Sequence, residues 1–311
     1  MAYELIFDSC NDLGPSYDKD NGVTIIPLAF EMEGKRYLRY QDDRELSVDQ
    51  FYKNQSDKIY GKTAQVTPID FINHSTPFLK EGKDVFICPF SSGLSGTYQS
   101  ALVAKSQLEA DFPDRKIVVF DGRTVAPSYS LMIEEAVRLY RQGLSMEDLE
   151  ATLKEERNHI YTWFAVNDLG ALVHGGRVSK VSGFFAGALN IKPVLDVDLE
   201  GKLQVVSKAH GTRKALEALS NKVKETITED GLKKKIYASY GLEKNLADIL
   251  IESLKKNVSE DLDIVVGRIS PIIGVHTGPS IIALSWIGVD QNKIKCFYYN
   301  NYCQSNCFLL Y

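Results

Sequence analysis

The sequence contains no apolar run that approaches the roughly 20 residues a membrane-spanning helix needs. It also lacks an excess of charge of either sign. Its 36 Lys and Arg face 41 Asp and Glu, for a formal net charge of -5, and the two signs are interspersed instead of forming a stripe. Neither a nucleic-acid groove nor a stable membrane insertion is expected from such a surface. Cysteine is scarce and odd in number, five in 311 residues, which suits a reducing, cytoplasmic compartment better than a disulfide framework. Cys303 and Cys307 have the spacing of a crude metal pair, but no second pair accompanies them, so no metal site is expected. The N-terminal MAYELIFDS reads as a strand without a basic leader, which argues against export. Internal repeats and low-complexity linkers are missing as well.

What is present is enough hydrophobic residue, 44%, for a full core in one large domain or two. Through the first half, strand and helix signals alternate. YELIFDS is strand-like, VTIIPLAFEMEGKRYLRY reads as two strands around a Glu-Gly turn, and VFICPF and KIVVFDG are short buried runs. Between them TPIDFINHSTPFLKEG offers Thr67 as a cap with Pro68 at the first helical position, and TYQSALVAKSQLEADF has apolar residues at helical spacing. Two further helices, SYSLMIEEAVRLYRQG and SMEDLEATLKEERNH, precede the strand YTWFAV. This alternation predicts an α/β fold built on a parallel sheet.

The second half changes rhythm. IKPVLDVDLEGKLQVVSKAHG reads as a hairpin around Glu200-Gly201, followed by a helix, the strand KKIYASYG and the amphipathic helix EKNLADILIESLKKN. DIVVGRISP and PSIIALSWIG read as a last strand pair around GVHTGP. The expectation is an N-terminal α/β domain over 1-159, a C-terminal α+β domain over 160-290, and an atypical, disordered tail over 291-311 that is rich in Tyr, Asn and Cys.

Four stretches carry candidate chemistry. VFICPF delivers the chain to SSGLSGT, at the carboxyl edge of a predicted parallel strand and just before a helix. Small residues there let a ligand approach the backbone, hydroxyls donate hydrogen bonds, and the helix start favours an anion. The competing reading is that Ser95 or Thr97 only caps the helix. GLSGT falls short of a nucleophile elbow, because Thr97 stands where that pattern needs glycine. GKTAQVTP places Thr63 and Gln65 before a helix. IIGVHTGP places His276 at the end of an apolar strand between Gly274 and Gly278, where a purely structural histidine is the competing reading. In LVHGGRVSK, Arg177 follows two glycines and is expected to project from an exposed turn, with a solvated surface charge as the alternative.

Taken together and in this order, KTAQVTP, SSGLSGTYQSA, LVHGGRVS, GALNIKPVL and IGVHTGP resemble the DegV family of bacterial fatty-acid-binding proteins, the FakB component of fatty acid kinase. The likeness runs from FDSCNDL to about Gly288. It implies a two-domain protein that buries one fatty acid between its domains and holds the carboxyl group with Thr63, Ser95 and His276, with Ser92 and Gly96 of the same loop as further contacts. It also implies that the protein is not itself a catalyst. It would present the acid to a separate ATP-dependent kinase for acyl-phosphate formation and phospholipid synthesis, with Arg177 serving that encounter, and it would carry no cofactor beyond the bound acid.

Three positions depart from the family pattern: Ala64 for a frequent serine, Cys10 for threonine, and Ser280 for glycine. The first implies one fewer carboxylate contact. Phe184, Phe185, Ala186, Leu189 and Ile191 are candidate walls for the acyl chain, or plain core. A serine hydrolase using Ser95 and His276, and a binder of phosphorylated small molecules, are the rival functions.

Overall fold

In a computed structural model of the chain, the residues described are 3–167, 169–178 and 190–293. The candidate wall residues Phe184, Phe185, Ala186 and Leu189, and nearly all of the tail, lie outside them.

The N-terminal half is built on a four-stranded, wholly parallel sheet in the order β2-β1-β6-β7. β1 (Tyr3–Asp8) and β6 (Asp84–Ile87) form its centre, and β2 (Thr24–Ile26) and β7 (Ile117–Val119) its edges. The central strands are almost continuously apolar because helices cover both of their faces, as parallel sheets require. A three-stranded antiparallel sheet in the order β4-β3-β5 stands beside it, formed by β3 (Leu28–Met32), β4 (Lys35–Arg39) and β5 (Gly61–Ala64). The run VTIIPLAFEMEGKRYLRY thus holds three strands and not two. Pro27 cannot continue a ladder, so the chain leaves the parallel sheet after Ile26 and starts the antiparallel one at Leu28. GKTA, expected as the loop before a helix, is itself the third strand of that small sheet, with Thr63 opposite Phe30.

Helices α1 (Tyr17–Asn21), α2 (Val48–Ser56), α3 (Pro68–Lys80), α4 (Thr97–Asp111), α5 (Pro127–Arg141) and α6 (Met146–Glu156) complete this half. α3 begins as its sequence predicts. Thr67 accepts from Asp70 N at 3.3 Å and Asp70 Oδ2 accepts from Thr67 N at 2.9 Å, a reciprocal capping box followed by Pro68 at the first helical turn.

The second half is a six-stranded mixed sheet in the order β10-β9-β8-β13-β11-β12. Its strands are β8 (Ile160–Ala165), β9 (Ile191–Val197), β10 (Leu203–His210), β11 (Ile236–Tyr240), β12 (Ile264–Arg268) and β13 (Ile282–Ile287), with helices α7 (Gly170–His174), α8 (Thr212–Thr226), α9 (Lys244–Asn257) and α10 (Pro271–Thr277). The β9–β10 hairpin turns at Glu200-Gly201 as predicted. The expected last strand pair does not form. β12 lies parallel to β11 at the sheet edge, while β13 inserts antiparallel between β11 and β8. The apolar segment between them, PIIGVHT, is helix α10, because Pro271 follows Ser270 at the first helical position and Gly278 stops it. His276 is therefore on a helix and not at a strand end.

One core cluster runs from β1 and β6 through α5 to Ile160, Phe164 and Tyr237 of the second sheet, so the two halves share buried surface. The other face of the second sheet packs on α8 and α9, where Trp286 is fully buried, stacks on Tyr161 at 5.2 Å and donates to Thr226 Oγ1 at 3.0 Å.

Candidate functional site

Thr63 on β5, Ser95 and Gly96 at the entry to α4, Arg177 after α7 and His276 on the last turn of α10 line a single cavity of about 180 Å3 between the two larger sheets. These residues are up to 213 positions apart in the chain, and Thr63 Oγ1 lies 2.8 Å from His276 Nε2. The remaining walls are mostly apolar and come from both halves: Leu28, Phe90, Leu94 and Val125 from the first, Phe164, Leu172, Val197, Leu203 and Ile281 from the second. Ala64 and Gln65 also line it, so the position that departs from the family pattern faces the site as a methyl group. Ala126 in the wall holds a positive φ of 54°, a conformation an alanine adopts only under constraint. Its N–H is tied to Cys10 O at 2.9 Å.

The four hydroxyls of the Ser/Thr-rich loop do four different things. Ser91 is buried and donates to Gly201 O at 2.6 Å, clamping the loop to the β9–β10 turn. Ser92 points outward and donates to Asp121 Oδ2 at 2.6 Å, so it does not line the cavity. Its place as a ligand contact is corrected by this pairing. Thr97 is buried, with its Oγ1 accepting from Val66 N at 3.4 Å. Only Ser95 both reaches the cavity and retains a hydroxyl beside it, while also accepting from Thr97 N at 3.2 Å. Ser95 thus satisfies the N–H of the first helical residue, although Gly96 occupies the N-cap, and it also lines the cavity. Gly96 lies against the Gln65 side chain, and a Cβ there would stand 2.2 Å from Oε1, so the amide would have to move aside. Gln65, which the sequence offered only as part of a helix entry, is held by donating to Ser100 Oγ at 2.9 Å.

Arg177 does follow a turn, with Gly176 at φ 69°, but it does not point away from the hydroxyls. It is half-buried, donates through Nε to Leu94 O at 3.3 Å and through Nη1 to Gly175 O, and so arches back over the cavity mouth. The backbone carbonyls on both sides of the mouth capture a side chain that sequence alone places in solvent. Its guanidinium has a second effect. Burial first, and the Arg177 charge second, push His276 down to about 4, so the imidazole is neutral at pH 7. Gly175 packs against that ring, and a Cβ there would stand 2.5 Å from His276 Nδ1.

The mouth therefore presents two hydroxyls, one neutral imidazole and one guanidinium at the end of an apolar cavity. Such a set favours a single anionic head on an apolar body. It does not pair Ser95 with His276. His276 Nε2 is engaged by Thr63, and Ser95 Oγ is paired with Thr97 Oγ1 at 3.0 Å, so no nucleophile-base hydrogen bond exists between Ser95 and His276. Among the described residues no group of His, Cys, Asp and Glu is placed to hold a metal ion, and no helix is long and apolar enough to cross a membrane.

The family model described as "Uncharacterised protein, DegV family COG1307" matches residues 2–289. A DegV domain-containing protein of Clostridium perfringens, CPE1310, is 33% identical over 288 residues, covering 91% of this chain and 98% of its own. The crystal structure of the fatty acid binding DegV family protein SAG1342 from Streptococcus agalactiae superposes with a TM-score of 0.79 at 27% identity, covering 93% of this chain and 99% of that one. The Fatty Acid Kinase (Fak) B3 protein of Streptococcus pneumoniae, loaded with linoleic acid, shares the fold with a TM-score of 0.76 at 23% identity, covering 92% and 99%.

Proposed function

The chain belongs to the DegV family, and from that membership we propose that it binds one long-chain fatty acid in the cavity between an N-terminal unit, 1-159, and a C-terminal unit, 160-290. The carboxylate is held by Thr63, Ser95 and His276. The observation that carries this reading is the convergence of those three neutral polar groups and Arg177 on one end of an otherwise apolar cavity. The energetics agree with it. A sixteen-carbon chain leaving water gains on the order of 12 kcal/mol at about 0.8 kcal/mol per methylene, while a buried carboxylate without partners costs several kcal/mol. The hydroxyls and the imidazole offset that cost without adding buried charge.

The protein is a carrier and not a catalyst in this reading, and it works in the cytoplasm. It presents the acid to a separate ATP-dependent fatty acid kinase for acyl-phosphate formation, as a Fak B protein would. Arg177 meets the kinase from the rim of the cavity, which its half-buried position there supports. Mass spectrometry of lipid extracted from the protein purified from a bacterial host is expected to return a fatty acid at near one per chain. No acid on extraction, together with no binding of added acid, overturns the proposal. Arg177→Ala, assayed for bound lipid and for acyl phosphate made with a cognate kinase, separates carrying from presenting. Full lipid with strongly reduced phosphorylation supports the presenting role, and normal phosphorylation removes it.

A further inference from the structure

FDSCNDL, at the end of β1, contributes nothing to the cavity mouth, yet its second aspartate is bonded to the helix that carries His276. Asp12 Oδ1 accepts from the N–H of Ser270, the residue that heads α10, at 3.1 Å, and Asp12 N donates to Ser130 Oγ of α5 at 2.9 Å. The other carboxylate oxygen, Oδ2, is buried with no partner. So is the hydroxyl of Ser270, while that of Ser239 on β11 stands within hydrogen-bonding reach of the Asp12 carboxyl. Gly267 leaves the space for this meeting, since a Cβ there would come within 2.9 Å of Ser239 Oγ. Buried polar atoms are almost always paired, so Asp12 Oδ2 and Ser239 Oγ call for an arrangement that pairs them.

The surrounding charges decide which arrangement holds. Arg39, at the end of β4, lies 3.3 Å from Asp43 and donates to Gln41 at 2.9 Å, while Arg268 of β12 is matched by Asp49 at 2.5 Å. The other titratable groups that sense Asp12 are Cys10 on its own loop, Tyr52 of α2 and Tyr237 of β11, all neutral acids here because burial pushes each of them up. Each nearby cation also has a carboxylate of its own, so Arg39 only partly offsets the cost of burying an ionised Asp12. Burial accordingly pushes the Asp12 carboxyl up to about 7.

We propose that Asp12 is a positioning residue that works as a neutral acid, accepting from Ser270 N–H and donating its own proton to Ser239 Oγ, and thereby fixes α10 so that His276 meets Thr63. The link is mechanical. α10 is seven residues long, one end is fastened by Asp12, and the other carries the imidazole. Ionisation of Asp12 removes the donor, leaves a charge in the core, and loosens the helix start. The effect on ligand rests on the fatty-acid reading above. The effect on the imidazole does not.

The test compares Asp12→Asn with Asp12→Ala. Asparagine reproduces the neutral acid atom for atom, with Oδ1 to accept from Ser270 and Nδ2 to donate to Ser239, whereas alanine leaves both unpaired. Two readouts are taken: the NMR titration of the His276 imidazole, and palmitate affinity from pH 5 to pH 8.5. Asp12→Ala is expected to shift the His276 resonances and weaken palmitate binding roughly tenfold or more. Asp12→Asn is expected to hold both within about threefold of the wild type. It should also abolish the loss of affinity that only the wild type shows as pH rises past about 7. Should asparagine prove as damaging as alanine, the carboxylate itself is required and the proposal is overturned. Unchanged His276 resonances in Asp12→Ala overturn it equally. If Asp12→Ala does not fold, the wild type and Asp12→Asn still decide through their pH profiles. If the wild type binds no palmitate, the fatty-acid reading fails, and the imidazole titration of the variants still decides this one.

Discussion

Two polar clusters in this molecule meet the same penalty with opposite signs. At the cavity mouth the group under pressure is a base, His276, held down to about 4. At the carboxyl end of β1 the groups are acids, Asp8 and Asp12, each pushed up to about 7. Burial is the first cause in all three, because desolvation disfavours whichever form is charged. All three lean towards the neutral form around and below neutrality, and among the described residues lining the cavity only Arg177 keeps its charge. A base and two acids thus approach the same neutrality by different routes, which leaves the guanidinium as the charged group among the described residues lining the cavity. The two clusters differ in what they hold. Asp8 binds protein, accepting from Cys10 N at 3.0 Å and Phe90 N at 2.8 Å, whereas the mouth leaves hydroxyls beside open space.

The harshest way to break this comparison is Asp8→Ala, which strands two fully buried backbone N–H groups. It is expected to cost about 3–5 kcal/mol in urea unfolding, since each unpaired group costs roughly 1–3 kcal/mol and the cavity adds to it. A loss under about 1 kcal/mol would show that water replaces the carboxyl.

Next comes pH. Asp8 and Asp12 hold protons in the folded protein at a pH where the unfolded chain has released them, so the folded state binds more protons between about pH 4 and pH 7. Stability should fall as pH rises across that window, by on the order of 2 kcal/mol for each carboxyl between pH 5 and pH 8. His276 acts the other way: its depressed value makes the folded state reluctant to take a proton, so its contribution falls as pH drops from about 6.5 towards 4. Asp8→Asn and Asp12→Asn should flatten the alkaline limb of a stability-pH curve and His276→Gln the acid limb. Variants that alter the wrong limb would dissolve the contrast.

If Ser95 holds the carboxylate as proposed, Ser95→Ala should weaken fatty-acid binding by roughly 1.5–3 kcal/mol, measured by titration calorimetry, with folding retained. Unchanged affinity would move the carboxylate elsewhere. The smallest effect belongs to Ser92→Ala. Its hydroxyl faces Asp121 in solvent, so binding should be unaltered and stability should change by no more than about 1 kcal/mol.

How far the sequence could be read followed from how local each signal was. The capping box of α3 and the hairpin at Glu200-Gly201 lie within a few residues of their cause and were legible. The run PIIGVHT suits a strand as well as a helix because a short apolar run fits either period, and Pro271 after Ser270 decides for the helix. Thr63, Ser95 and His276 could be picked out singly, and a family resemblance joined them, but no spacing in the chain announces a 2.8 Å contact across 213 residues. The outward turn of Ser92 and the inward fold of Arg177 depend on Asp121 and on the carbonyls of Leu94 and Gly175, partners that periodicity cannot supply. Asp12 is the clearest case, since its importance lies in what stands opposite it, Ser239 and Ser270, more than 220 residues on.

Gly175 closes on the His276 ring with no room even for a methyl group, and two residues later the same turn ends in Arg177. The outer guanidinium and the inner imidazole are thus two ends of one short lever whose pivot is a hydrogen atom. Any shift of the Arg177 turn is therefore felt at the imidazole through van der Waals contact, without any charge having to move.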